Sequence, residues 1–424
     1  MKLTYVYRIK PTAEQVAIME TWLELLRRHR NYVLGQRYDW LRHTRCQIDC
    51  CSIVSEAIGE IPVVAPSYNS EAGHLKETKE LFPNYKDIYA DVQQQNLKRL
   101  DTTWWRWLTP DKTGKRAGRP KFKKKGEMRS FTFPRINHPK AGAHIKNGTL
   151  RLSRIGTMPV VVHRPLPNGF ALKTCTIVKK ADGWYACISM EDQTVPALLP
   201  VSEIKSFVGA DVGLKEFLTT SLGETESIPQ IYRKAQAHLA RQQRYLARKE
   251  KGSHNATKQQ NRVAKIHQRI KRQRENFHYR VAHWLVKTYD LIAVEDLNIK
   301  GLARNSKLAK SILDAAWGAF IKILEAVAIK RGVHVVKVNP HSTSVDCSGC
   351  GTKVPKTLSI RTHQCPNPKC NLEIDRDENA ALNILNRALS AVGLIVPAFG
   401  GLGDTQPLRK EAWSGLVGTQ LSLF

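Results

Sequence analysis

Three acidic residues in this sequence stand where a hard metal ion could be held. Asp211 closes the apolar run Phe207-Val208-Gly209-Ala210 and opens Val212-Gly213-Leu214-Lys215. Glu295 ends a second run, Leu291-Ile292-Ala293-Val294. Asp377 lies in Asp375-Arg376-Asp377-Glu378-Asn379-Ala380-Ala381, at the head of a predicted helix. A carboxylate at one strand end is usually a turn or cap residue. Three of them, at two buried strand ends and one helix start, form the donor set of a two-metal phosphodiesterase. Two Mg²⁺ ions roughly 4 Å apart need several oxygen ligands arriving from separate elements. Phosphodiester hydrolysis is the expected chemistry, with Asp211, Glu295 and Asp377 as catalytic ligands of two Mg²⁺. At the helix head, Asp375 with Glu378 suits an N-cap with a capping-box analogue, which leaves Asp377 to face the metal. Asp296 is expected to face away from Glu295, because successive strand residues alternate.

Between the last two acids sit Cys347, Cys350, Cys365 and Cys370, spaced Cys-x₂-Cys and Cys-x₄-Cys with fourteen residues between the pairs. Four thiolates so arranged can close a tetrahedral Zn²⁺ site, and with all four positions filled by protein the metal is structural. Pro366-Asn367-Pro368-Lys369 sets the wider second knuckle. His341 and His363 are expected at the surface, and Cys46, Cys50 and Cys51 as packing residues.

These sites sit in a chain of 424 residues with a formal net charge of +30 and a pI near 9.9. That length allows two or three domains, and that charge favours a polyanionic partner. No apolar stretch approaches the ~18 residues of a spanning helix, and the first residues lack a signal-peptide core. Nine cysteines, an odd number with four in metal spacing, argue against a secreted disulfide scaffold. A cytoplasmic, nucleoid-associated protein that binds nucleic acid and no membrane is expected.

The elements that must carry the sites follow from periodicity. Residues 3–10 read as a strand, and Pro11-Thr12-Ala13-Glu14-Gln15 starts a helical region reaching Leu108, broken near 62–68. Alternating runs over 128–193, punctuated by Asn147-Gly148 and Asp182-Gly183, predict an antiparallel β-domain completed by the first strand, as a barrel. From 201 the pattern is mixed α/β. Strands end at Asp211 and Glu295, and residues 216–221 pair back on the first. Helices are predicted at 231–250, 256–289 and 313–331, a strand at 333–338, and a last helix after Asp375. This is the order of an RNase H-like fold of the RuvC type.

The ordered set of motifs resembles the TnpB-type RNA-guided endonucleases of insertion sequences, the OrfB family, related to the compact type V CRISPR effectors. The resemblance begins at Tyr7-Arg8-Ile9-Lys10-Pro11-Thr12 and continues through Gly118-Arg119-Pro120-Lys121-Phe122-Lys123 with Ser130-Phe131-Thr132. Asp211 to Lys215, Glu295 to Leu297, the cysteine knuckles and Asn379-Ala380-Ala381-x-Asn383-Ile384 complete it. The second knuckle departs from the family's usual two-residue spacing. The resemblance implies a wedge-like β-barrel (1–10 plus 120–200) with an inserted helical recognition lobe (11–119). It implies a RuvC-like nuclease domain (201–340 plus 375–395) with a zinc ribbon insert (341–374), and 396–424 is expected as a mobile tail. Guide RNA and double-stranded target DNA are the implied partners, base pairing supplying the specificity. Protein partners are not readable, and a monomer or weak dimer is expected. A transposase or its accessory, a guide-dependent repressor without cleavage, and a CRISPR-adapted effector are the alternatives.

Basic residues supply the expected nucleic-acid contacts. Lys121, Lys123, Lys124 and Lys125 interleave with Phe122 and follow Arg119, as suits a groove that tracks a backbone. The cations from Arg233 to Arg274 have few balancing acids beside them, which favours phosphate contact. Gln94, within Gln93-Gln94-Gln95-Asn96, could read a base edge. By analogy with the family, Arg361 is expected at the scissile phosphate.

Overall fold

The computed structural model describes residues 2–45, 65–166, 169–191, 196–357 and 360–394. The expected tail and Cys46, Cys50 and Cys51 lie outside the described residues. The chain divides into two compact units, 1–193 and 194–424.

The first unit opens with β1 (Lys2–Ile9) and α1 (Ala13–Arg45). Thr12 and Gln15 exchange side-chain and backbone bonds of 3.0 and 3.3 Å, a capping box that starts α1 where the sequence predicts it. Helices α2 (Tyr68–Gly73), α3 (Leu75–Leu81) and α4 (Ala90–Leu108) follow. Then come β2 (Ser130–Phe133), β3 (Ala143–Lys146), β4 (Thr149–Leu152), β5 (Gly156–Val161), β6 (Ala171–Lys180) and β7 (Gly183–Glu191). All seven strands form one antiparallel sheet in the order β2-β6-β7-β1-β5-β4-β3. Beyond β2, Ile136 bridges to Ala143 of β3, and the Asn137 amide bonds both backbone groups of Ile145. Asn147 and Gly148, at φ 46° and 72°, make the predicted hairpin turn. In the β6–β7 hairpin Lys180 pairs with Gly183, so the turn residues are Ala181 and Asp182, one position earlier than the Asp-Gly signal predicts.

The first half of α1 packs on the sheet. Met19, Trp22, Leu23 and Leu26 share one core with Phe131, Phe133 and Ile177 of the sheet. The second half turns Val33, Leu34 and Tyr38 onto Leu97, Leu100 and Trp104 of α4. Fully buried Arg37 ties these helices together, bonding Glu71 at 2.7 Å and Asp101 at 2.9 Å.

The second unit runs through β8 (Phe207–Asp211), β9 (Glu216–Thr220), β10 (Thr225–Ser227), α5 (Ile231–Ala247), α6 (His254–Thr288) and β11 (Leu291–Glu295). It continues through α7 (Ile299–Leu302), α8 (Ser306–Ala315), α9 (Trp317–Ile329) and β12 (His334–Val338). It closes with β13 (Thr362–Gln364), β14 (Glu373–Asp375) and α10 (Arg376–Ala391). The sheet order is β10-β9-β8-β11-β12, with β8, β11 and β12 parallel, β9 antiparallel to β8, and β10 antiparallel to β9. The helix expected over 313–331 is broken at Ala316, where φ is 53°. The left-handed step lets Asp314 accept the backbone N–H of Tyr232 at 2.9 Å, capping α5, while Trp317 and Phe320 turn into the core.

Strand parity divides the sheet's two faces. Val208, Ala210, Ile292 and Val294 face α6 and α9. Phe207, Leu291 and Ala293 face α10, packed with Ile384 and Ala388. Gly209 belongs to this second face: a Cβ there would lie 1.9 Å from the Ala381 carbonyl oxygen and 2.9 Å from Leu385 Cβ. The glycine therefore admits α10 to close contact with β8.

Candidate active site

Parity also directs the acids. Asp211 is two residues beyond Gly209, and Glu295 two beyond Ala293, so both lie on the face that α10 covers. Their strands are parallel neighbours, with Val294 beside Ala210 in the last registered pair. Asp377, in the first turn of α10 and 9% exposed, approaches the loop after β8: a Cβ at Gly213 would be 3.9 Å from its Oδ2. Asp375 is the N-cap of α10, its side chain accepting the Asp377 N–H at 2.8 Å. Asp296 is exposed while Glu295 is half-buried.

The electrostatics record the crowding. Asp211 keeps some surface open to solvent but is densely surrounded, and burial, then Glu295, then Asp377, push its carboxyl up to about 8. Burial also raises Glu295, against the Thr343 hydrogen bond and the charge of Arg387. Asp377 accepts Arg361 Nη1 at 3.3 Å and Arg376 Nη2 at 3.1 Å. A buried carboxylate pushed up by two neighbouring carboxylates marks a donor set that a hard cation neutralises. Among the described residues, the four cysteines alone form a His/Cys/Asp/Glu group with all ligand atoms within 4.8 Å of one another.

The cysteine sulfurs meet the geometry of a zinc site. Cys347 and Cys370 sulfurs are 3.8 Å apart and Cys350 and Cys365 sulfurs 3.5 Å. A tetrahedral Zn–S₄ centre with ~2.3 Å bonds has edges of roughly 3.8 Å. The wide second knuckle closes because Asn367 turns it: its carbonyl accepts Cys370 N at 2.9 Å and its side chain accepts Lys369 N at 3.1 Å. His341 is exposed as expected, but His363 is fully buried. Its ring sits against the Lys356 amine, and burial lowers it to about 4.

The Asn379-x₃-Asn383 motif ties the first knuckle to α10. Asn379 donates to the Asp346 carbonyl at 2.8 Å and accepts Ser348 N at 2.9 Å. Asn383 donates to the carbonyls of Thr343 at 2.8 Å and Asp346 at 2.7 Å. Residue types alone did not single out Thr343, Arg376 or Arg387 for this site. Arg376 had a signal, standing beside Asp377. Thr343 had none, because its partner is 48 residues away.

In the first unit, residues 120–123 are pinned by their backbone along α1. Arg30 bonds the Lys121 carbonyl at 3.1 Å, Asn31 bonds both backbone groups of Lys123, and the Tyr38 hydroxyl bonds the Pro120 carbonyl. This leaves the side chains of Lys121, Phe122, Lys124 and Lys125 exposed. Lys123 is half-buried, its amine lowered by burial and by Arg30 and Arg99. The Arg119 guanidinium stacks 4.4 Å from the Tyr38 ring centroid. Gln94 is exposed in a groove lined also by Lys76, Lys79 and Lys86. Its neighbours Gln93 and Asn96 are buried, spent on the carbonyls of Tyr85 and Leu26 at 2.6 and 3.0 Å, so they cannot read bases. In the second unit, Arg233 to Arg272 on α5 and α6 expose most of their cations, while Arg274 turns inward to Asp314 at 3.4 Å.

Two segments of the chain match known families, and long relatives match most of its length. Residues 185–306 match the OrfB_IS605 family, described as "Probable transposase", and residues 317–384 match the Cas12f1-like TNB domain. Its long relatives are named as RNA-guided DNA endonucleases. A Streptomyces pristinaespiralis protein named "Putative RNA-guided DNA endonuclease" is 29% identical over 424 residues, 98% of this chain and 94% of that protein. The Escherichia coli K12 protein "Putative RNA-guided DNA endonuclease InsQ" is 29% identical over 345 residues, 77% of this chain and 80% of its own. A Cas12f1 chain in complex with sgRNA and target DNA shares the fold. Its TM-score is 0.52 at 12% identity, covering 91% of this chain and 99% of that one. Among the described residues no helix is long and apolar enough to cross a membrane.

Proposed function

We propose that this chain is an RNA-guided DNA endonuclease of the TnpB type, cutting target DNA beside a short flanking motif. The observation that carries the reading is the convergence of Asp211, Glu295 and the first turn of α10 on one face of the second unit's sheet. The order β10-β9-β8-β11-β12, with its parallel β8, β11 and β12, supports an RNase H-like, RuvC-type reading of that unit. The stitch from Ile136 and Asn137 to β3 supports a barrel in the first unit. The names of the long relatives support the guided activity.

Asp211, Glu295 and Asp377 would hold two Mg²⁺, which supply a water nucleophile at neutral pH and charge stabilisation at the leaving oxygen. The chain's own residues do the rest. The Thr343 hydrogen bond and the Arg387 charge oppose the burial that raises Glu295, and Asp375 fixes the first turn of α10 so that Asp377 points inward. Arg361, already within 3.3 Å of Asp377, is suited to meet the scissile phosphate from the same side. The four cysteines would hold one structural Zn²⁺. Lys121, Phe122, Lys124 and Lys125, with Arg119 and Lys123 behind them, would track RNA backbone, and Gln94 would touch the DNA.

Asp211→Ala, Glu295→Ala and Asp377→Ala test the site. Each should abolish Mg²⁺-dependent cleavage, by at least about 1000-fold, and leave guide and target binding intact. Cleavage kept by Asp377→Ala but lost by Asp375→Ala would reverse the assignment of those two residues.

A further inference from the structure

We infer that Thr343 is a positioning residue for the Glu295 carboxylate: its hydroxyl decides which oxygen of Glu295 remains for the metal. The inference rests on the proposed role of Glu295 as a metal ligand. Thr343 is 4% exposed, and its Oγ1 donates to Glu295 Oε1 at 2.6 Å. A hydroxyl carries one proton, and the carboxylate is a stronger and nearer acceptor than the Pro340 carbonyl at 3.2 Å. With one lone pair of Oε1 engaged, Oε2 is the less encumbered oxygen for a cation.

The hydroxyl is held from two directions. Ser342 takes a left-handed step, φ 61°, and a turn closes behind it through Asp346 N to Ser342 O at 2.9 Å. A non-glycine residue adopts that conformation where its surroundings impose it. The imposing groups come from α10. Asn383 holds the Thr343 carbonyl at 2.8 Å, and Arg387 holds the carbonyls of Asn339 at 2.9 Å and His341 at 2.6 Å. Asp377 is on that same helix. Thr343 therefore registers the carboxylate at the end of β11 against the helix that carries Asp377, and its loss should loosen the pair.

The test uses the full chain with its copurifying RNA and reads Mn²⁺ binding by electron paramagnetic resonance, with the Mg²⁺ concentration for half-maximal cleavage beside it. The binding increment lost in Glu295→Ala removes the RNA's own contribution. Thr343→Val, which keeps the shape and removes the hydroxyl, should weaken that increment about 10- to 100-fold and raise the Mg²⁺ requirement similarly. Its melting temperature should change little, and Thr343→Ser should behave as the parent. If Thr343→Val melts early, Thr343→Ser against Thr343→Ala isolates the hydroxyl. Equal metal affinity with and without the hydroxyl would overturn the positioning role and leave the nuclease reading standing. No increment between parent and Glu295→Ala would overturn both.

Discussion

The most consequential residue is Asp211, because its environment disfavours the charge its proposed task requires. Its folded pKa of about 8 stands well above the ~3.9 of an unfolded aspartate. Between those values the folded protein keeps a proton that the unfolded chain releases, so stability falls as pH rises from about 4 to about 8. Burial raises Glu295 in the same sense. Without added divalent cation, thermal melts should show that decline. Asp211→Asn should flatten it and be more stable at pH 8 by on the order of 1–3 kcal/mol, while abolishing cleavage. A parent melting temperature that does not change across that range would contradict the crowded carboxylates. The positions of the three acids at element ends were legible in the sequence because each ends an apolar run or opens a helix, and alternation then sets which face a strand acid takes. Thr343 was not legible, since its role exists only once β11 and the segment before Cys347 are brought together.

At the scale of elements, the packing of α10 on β8 decides where Asp377 stands. Gly209→Ala puts a methyl 1.9 Å from a backbone oxygen that cannot move without the helix. It should destabilise by about 3 kcal/mol, read by denaturant melts, and reduce cleavage by displacing α10. A neutral substitution would mean that α10 is not held so closely. The knuckles make the second element-level prediction. One zinc per chain is expected by metal analysis, and Cys347→Ser with Cys365→Ser should lose it. The Asn379 and Asn383 clamps should carry that loss into α10 as an earlier melt. The strands and the α10 cap were legible because strand alternation and capping are local rules. The break at Ala316 was not: the helical period runs through it, and the left-handed step is imposed by the distant need of Asp314 to cap α5. The buried His363 escaped for a similar reason, its setting being made by β13, β14 and Lys356 together.

For the whole molecule, the excess of cations calls for a polyanion that the chain does not contain. The protein should purify with a discrete RNA, and binding should weaken steeply with salt. Lys121, Lys124 and Lys125 reach solvent from a pinned backbone. Neutralising all three should therefore weaken RNA binding irrespective of sequence and lower the salt slope by roughly 2, without changing melting behaviour. Charge and motif order are the sequence's grounds for expecting a polyanionic partner, but which cations reach solvent depended on the fold, as Lys123 and Arg274 illustrate. On the proposed function, RNA and not the protein chooses the cleavage site. The most direct measurement gives the purified protein two RNAs differing only in the guide segment and two duplexes matching one each, with Mg²⁺ present. Cleavage should appear only in the matched pairs and move with the rewritten guide. Cutting at one site whichever guide is supplied, or at the same rate with none, would contradict the account.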